Sequence, residues 1–281
     1  MTALAGEIRY FLTESGIDCV AEVRCGVDVL VAGMKCVVPW PVTAICPEQA
    51  HEHADVLEHL LSELAGNGLS TVVITEDRWR SQGEMMRARL LAHLEVFVPM
   101  YARNCEVRKI DKETAAAFLR ENHSYGDAAC RYRYGLYLKR YTGRNRATAC
   151  CANWTEPGSL VAVATFSNAR KWVKGEQTIR SYEWTRYASL PGVRISGGMG
   201  KVLKAFIQDV HPDDIMSYAD LEWSEGAVYE HLGFVLEGRK APVMFNVDSQ
   251  WHRSALKQQT TTLYLQNLGS NKYRMKLTEY E

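Results

Sequence analysis

Gly197, Gly198 and Gly200, with Lys201 beside them, stand where a loop gives way to a helix-forming run reaching Val210. A turn of that composition lets backbone N–H groups crowd an anion at the positive end of a helix, the usual seat of a phosphate. Beyond the helix comes a β-type run, Asp214 to Asp220, followed by a second helix that ends in Tyr229-Glu-His-Leu-Gly233-Phe234. Ligands of α/β sheets gather at strand ends such as the one formed by Ser217, Tyr218 and Asp220. In that place Asp220 suits a base or an amine-orienting carboxylate, and Tyr229 suits a proton donor to a leaving group. The plainer alternatives are that Asp220 caps the next helix or pairs with an arginine, and that Tyr229 only packs.

The strand before the glycine turn carries Glu183, Trp184, Thr185 and Arg186. Regular alternation sends Glu183 and Thr185 to one face and Trp184 and Arg186 to the other. A buried charge needs a partner or a task, and Arg186 suits a phosphate or a carboxylate unless Asp220 neutralises it. Asn122 and His123 follow a helix over Lys112–Arg120; His123 is a candidate base or a local cap. Ser217 and Ser224 complete the candidate substrate-binding set. Arg131, Arg133, Arg144 and Arg146, interleaved with Tyr132, Tyr134, Tyr137 and Tyr141, suit a nucleic-acid backbone and its bases. Exposed strand faces give the same composition.

No metal is expected, because the eight cysteines include no Cys-x-x-Cys and have no histidine at zinc spacing. His51 and His53, two apart on a helix, diverge. With 33 basic and 33 acidic side chains there is no global field to attract nucleic acid, so any such contact needs a local patch. A hydrophobic share of 47% with 23% charged residues fits a globular chain rather than a disordered or membrane-spanning one. The start, Met1-Thr-Ala-Leu-Ala-Gly-Glu, is no signal peptide, and reduced cytoplasmic thiols are expected.

Periodicity predicts a short helix over Glu7–Glu14, a strand pair over Val27–Val31 and Met34–Val38, a helix over His51–Leu64, a strand over Leu69–Thr75 and a helix over Glu84–Leu94. A new element begins at Tyr101. The Lys112–Arg120 helix buries Ala116, Phe118 and Leu119, and strands follow over Tyr132–Tyr141, Leu160–Ser167, Ser181–Ala188 and Val243–Val247. The expected domain boundary falls near Pro99, giving domains 1–99 and 100–281.

Tyr101-Ala-Arg-Asn-Cys-Glu-Val-Arg108, Phe118-Leu-Arg-Glu-Asn-His123, Gly197-Gly, Ser217-Tyr-Ala-Asp220-Leu-Glu-Trp-Ser224 and the Tyr229–Phe234 segment together resemble the GNAT-like domain that follows Vsr-type homing endonuclease domains on phage and mobile elements. The Ser-Tyr-Ala-Asp segment is similar to phage Mom-type DNA-modification proteins. Ile195 stands where the usual acyl-CoA turn has Gln or Arg. Residues 1–99 resemble a Vsr-type nuclease through element order and Ile74-Thr-Glu-Asp-Arg-Trp79, and Asp28 matches its first metal-binding acid. Cys36-Val-Val-Pro-Trp40 stands where the second acid belongs, so no nuclease activity is expected.

The resemblance implies an α/β (α+β) chain, a GNAT-like acyltransferase fold preceded by a small restriction-endonuclease-like domain. It further implies transfer of a small group to a nucleic-acid amine, with DNA as partner and acetyl-CoA or another acyl donor. Asp220 would then be base or orienter, Tyr229 the acid, Tyr218 and Arg186 the pocket lining, and Gly197 to Lys201 the donor contact. A non-catalytic DNA-binding protein and a conventional acetyl-CoA-dependent N-acetyltransferase remain alternatives. The oligomeric state stays open.

Overall fold

Thr2 stops the chain from running on as coil: its hydroxyl accepts the amide of Ala5 at 3.3 Å and starts helix α1 (Ala3–Glu14), which buries Leu4, Ile8 and Leu12 at helical spacing. From this cap onward, a computed structural model describes residues 1–141, 156–224, 226–255 and 263–280. Its contacts divide the chain into two compact units. The first gathers 1–94, 219–226 and 239–271, and the second gathers 95–218, 227–238 and 272–281. The first long stretch ends at Leu94 rather than at the expected Pro99, and the first unit also takes in two later segments.

In the first unit, β1 (Val20–Arg24), β2 (Val27–Ala32) and β3 (Lys35–Trp40) form an antiparallel meander. Helix α2 (Pro47–Gly66) crosses over to β4 (Ser70–Thr75), which pairs parallel with β3, and α3 (Glu76–Ser81) and α4 (Gly83–His93) follow. Leu4, Ile8, Leu12, Leu30, Val72, Trp79 and Leu90 fill one core. The second core joins Val38, Leu57, Leu60 and Leu64 to Val247 and Leu265. Those last two arrive from a small sheet of order β15-β14-β16, made of β14 (Met244–Val247), β15 (Arg253–Ala255) and β16 (Leu263–Gln266).

The second unit opens with β5 (Val98–Tyr101), parallel to β11 (Val193–Ser196), and β6 (Cys105–Lys109). Asp111 caps α5 (Lys112–Asn122) by accepting the Thr114 amide at 2.7 Å. The helix buries Ala115, Phe118 and Leu119, so Ala115 takes the place expected of Ala116. Then come β7 (Tyr132–Leu138), β8 (Leu160–Phe166), β9 (Arg170–Lys174), β10 (Gln177–Ser189), α6 (Gly198–Val210), β12 (Asp214–Asp220), α7 (Ala227–His231), β13 (Val235–Lys240) and β17 (Ser270–Lys276). The main sheet runs β13-β17-β12-β10-β8-β7-β6, with β9 paired to β10. Helix α6 covers one face through Phe206, whose ring stacks on Phe166 at 3.9 Å. Helix α5 covers the other, packing with Val163 and Ala188.

Candidate active site

Strands β10 and β12 are parallel neighbours that part company. They pair at Ser181–Asp214, Tyr182–Ile215 and Glu183–Met216, and no further, although β10 continues to Ser189 and β12 to Asp220. A second irregularity lies at the same level, where the register of β10 against β8 shifts between Trp184 and Arg186. A bulge of this kind re-aims the side chains that follow it.

The bulge overturns the expected alternation. Tyr182 and Trp184 lie on the α6 face, with Phe206 and Phe166. After the bulge Tyr187 takes that face, beside Gly198, while Arg186 bonds the carbonyl of Gly126 beyond α5 and Ala188 packs on α5. Arg186 thus shares the α5 face with Glu183 rather than with Trp184. Asp220 is not its partner.

Where the strands separate, a short polar chain bridges the gap. Ser217 Oγ lies 3.0 Å from the Trp184 carbonyl and 2.9 Å from the Tyr229 hydroxyl, which is also 3.5 Å from the Tyr218 carbonyl. A serine hydroxyl carries one proton. Given to Trp184, it leaves Tyr229 to donate to Ser217; given to Tyr229, it leaves the phenolic proton aimed at Tyr218. Burial pushes the Tyr229 phenol up, against the partial opposition of the Ser217 hydrogen bond. Tyr229 is therefore a neutral proton donor, its ring stacked on Tyr273 at 5.3 Å and set edge-on to Trp184. Glu183 sits at the last paired position on the opposite face, half-buried. In the sequence it is only a charge that needs a partner or a task; the parting of the strands is what gives it a place.

The glycine turn is built for packing as well as for its helix start. Gly197 caps α6 with φ 76°, in the left-handed region. A Cβ on Gly198 would meet the Tyr187 hydroxyl at 2.6 Å, and one on Gly200 would meet Leu232 at 3.2 Å. Ile195 is buried behind Gly198. Lys201 turns away from the turn: its ammonium donates to the carbonyls of Ala102 at 2.8 Å and Cys105 at 2.5 Å. The helix carries no side-chain cap and no acidic residue in its first turn.

The other expected residues are placed apart. His123 ends α5, and its Nδ1 accepts the Tyr125 amide at 3.1 Å. Asn122 donates back to Phe118 in its own helix. Arg131 is exposed, Arg133 donates to its neighbour Cys130, and Arg144 and Arg146 fall outside the described residues.

Asp220 and Ser224 belong to the first unit. Asp220 accepts the Glu222 amide at 3.1 Å and lies 3.6 Å from Arg78, while Ser224 Oγ accepts the Gly226 amide. Arg78 and Glu222, both almost fully buried, pair at 2.8 Å. Arg253 joins them, paired with Asp77, bonded to Thr75 at 2.7 Å, and 3.8 Å from Glu222. The Ile74–Trp79 motif thus fastens residues 219–226 and 253 to β4. A hydrophobic-pattern reading has no signal for buried charges that pair across such sequence distances.

Among the described residues no group of three or more His, Cys, Asp or Glu side chains could hold a metal, and no helix is long and apolar enough to cross a membrane. No family model and no curated protein matches the sequence. The fold is similar to an N-acetyltransferase from Staphylococcus aureus Mu50 at 15% identity, covering 62% of this chain and 99% of that one with a TM-score of 0.35. It is similar to a GNAT-family acetyltransferase from Bacillus anthracis at 13% identity, covering 62% and 95% with a TM-score of 0.33. The Escherichia coli ribosomal-protein-S18-alanine N-acetyltransferase shows 10% identity, coverage of 63% and 96%, and a TM-score of 0.34. Likeness at this level assigns no residue a role.

Proposed function

We propose that the second unit is an acyltransferase of the GNAT type acting on an amine. The observation that carries this reading is the parting of β10 and β12 after Glu183 and Met216, with a carboxylate on one face and a neutral phenol on the other. The uncapped, acid-free start of α6 fits the diphosphate of a coenzyme A donor, whose oxygens the amides of Gly198, Met199 and Gly200 would hold. Lys201, committed to two carbonyls, is left out of that set. A thioester bound there supplies an activated acyl carbon. Glu183 takes the proton from the acceptor amine, and Tyr229 holds a proton at its hydroxyl for the departing sulfur. Ser217 keeps that proton in place, and solvent returns a proton to Tyr229 as Glu183 releases the one taken from the amine. The test is titration of the full chain with acetyl-CoA, followed by mass spectrometry of an amine panel. Absence of acetyl-CoA binding and of any acetylated amine overturns the proposal.

A nucleic-acid base amine is a second acceptor reading, supported by exposed Arg131 and Tyr125 near the start of β7. Nucleosides digested from DNA co-expressed with the protein would then carry a new mass. For the first unit we propose a non-cleaving, restriction-endonuclease-like scaffold. The order α1-β1-β2-β3-α2-β4 supports it, and the carboxylate of Asp28 is already engaged by the Thr2 amide at 2.5 Å. Plasmid nicking that needs Mg²⁺ and is lost in Asp28→Ala would refute it.

A further inference from the structure

On the α5 face of the second unit, Arg133 of β7 and Arg186 of β10 both pair in register with Thr165 of β8, one from each side. Residues in register on neighbouring strands point the same way, so the two arginines stand two strand spacings apart, roughly 10 Å. Both are half-buried and donate to main-chain carbonyls, and the Arg186 guanidinium also lies 5.8 Å from the centre of the Tyr125 ring. Arg133 donates to Cys130 at 2.8 Å, and Arg186 donates to Gly126 at 3.1 Å and Thr185 at 2.7 Å. Among the described residues neither forms an ion pair. Burial pulls the Arg186 guanidinium down from its ordinary range, with the charge of Glu183 the largest opposing influence.

Two further atoms are left unsatisfied at the same place. Asp127 Oδ1 and Arg133 Nε are buried without a hydrogen-bond partner. Unpaired burial costs about 1–3 kcal/mol for a neutral group and more for a charged one. Here an acceptor and a donor of opposite charge are both left so, and the two residues that carry them line one concavity of about 530 Å³ together with Lys112, Cys130 and Asn168. Arg186 adjoins it through Gly126, the residue before Asp127. The volume lies in the range of small-molecule sites, roughly 300–1,000 Å³.

We propose that this concavity binds a small zwitterion, an amino acid or amino-acid-like amine, with its carboxylate on Arg133 and Arg186 and its ammonium on Asp127. A zwitterion satisfies both signs at once, whereas a phosphate group would leave the Asp127 carboxylate unmatched. The ligand's role as acyl acceptor rests on the acyltransferase reading above; its binding does not.

Calorimetric titration of the full chain with the standard amino acids tests this, the tightest binder then being compared with its carboxamide and its decarboxylated amine. The expected result is binding of at least one amino acid, at least tenfold weaker once the carboxylate is gone. Arg186→Gln, Arg133→Gln and Asp127→Asn each lose at least tenfold, while Lys171→Gln on exposed β9 loses nothing. The ligand comparison uses the unaltered protein, so it stands even where a variant fails to fold. Failure of every amino acid to bind, equal binding of acid and carboxamide, or displacement of the amino acid by a single-stranded oligonucleotide overturns the proposal. Acetyl-CoA, titrated separately, distinguishes the two claims: amino-acid binding without it removes only the acyltransferase reading, and the converse removes only this site.

Discussion

An alanine at Gly198 would set its Cβ 2.6 Å from the Tyr187 hydroxyl and 3.0 Å from Ile195 Cγ2. The Tyr187 ring stands edge-on to Trp184 at 6.2 Å, so the hydroxyl does not swing aside freely. Overpacking of this kind costs about 1–3 kcal/mol. Alanine's advantage over glycine in a helix returns at most about 1 kcal/mol, and less in a first turn. Gly198→Ala should therefore destabilise the second unit by about 1–2 kcal/mol, a melting shift of roughly 2–8 °C for a domain of this size. Tyr187→Phe removes the closest atom, so in its background the same change should cost at least about 1 kcal/mol less, a coupling large enough to read from a double-mutant cycle. Urea unfolding of the four proteins measures it, with acetyl-CoA titration of each alongside. If Gly198 serves ligand approach alone, Gly198→Ala will melt at or above the parent temperature and lose only donor affinity. That outcome, or additivity within about 0.3 kcal/mol, refutes the packing argument.

Glu222→Leu and Arg78→Met should each cost about 3–5 kcal/mol, because each removes one partner of the closest buried ion pair, whereas the double variant should cost far less than their sum in chemical denaturation. Tyr229→Phe should lower acyl transfer by roughly 10²- to 10⁴-fold in steady-state assays while its melting temperature stays close to the parent's, and Ser217→Ala should do so to a smaller degree. Asp209 is held below the usual carboxylate range chiefly by its hydrogen bond from Lys109 and then by that from Tyr134. A depressed folded pKa stabilises above the unfolded value of about 3.9 and is lost as pH falls through the folded one. Melting curves below about pH 4 should thus be flatter in Asp209→Asn than in the parent.

Where an apolar face repeats at the period of its element, the sequence is easily read: α1, α2, β4, α5 and α6 are found where that spacing predicts them, although α1 and α2 each begin four residues before the expected Glu7 and His51. Strand β1 escaped because it hides nothing, with Val20 and Val23 among the most exposed apolar residues. Helix α3 escaped for the opposite reason, since its buried residues include Asp77 and Arg78, and a charged run reads as solvated surface. At the candidate site Tyr229, Ser217 and the glycine turn were visible as types. The company they keep was not. One bulge after Trp184 moves Arg186 to the other face, and a change of register leaves no trace in residue type. Asp220 is visible at its strand end, yet the arginine beside it, Arg78, lies in α3, far off in sequence.

The three-part make-up of the first unit also sets a timetable. Residues 1–94 leave the ribosome well before 219–226 and 239–271 have been joined to the chain, a wait on the order of ten seconds or more at roughly 5–20 residues per second. Through that interval Val38, Leu60 and Leu64 lack the cover of Val247 and Leu265, and Asp77 and Arg78 lack Arg253 and Glu222. The nascent chain thus carries an open apolar face and two unneutralised charges while the second unit is being made. A chain cut short inside that window would keep Leu60 and Leu64 of α2 without the cover of Val247 and Leu265.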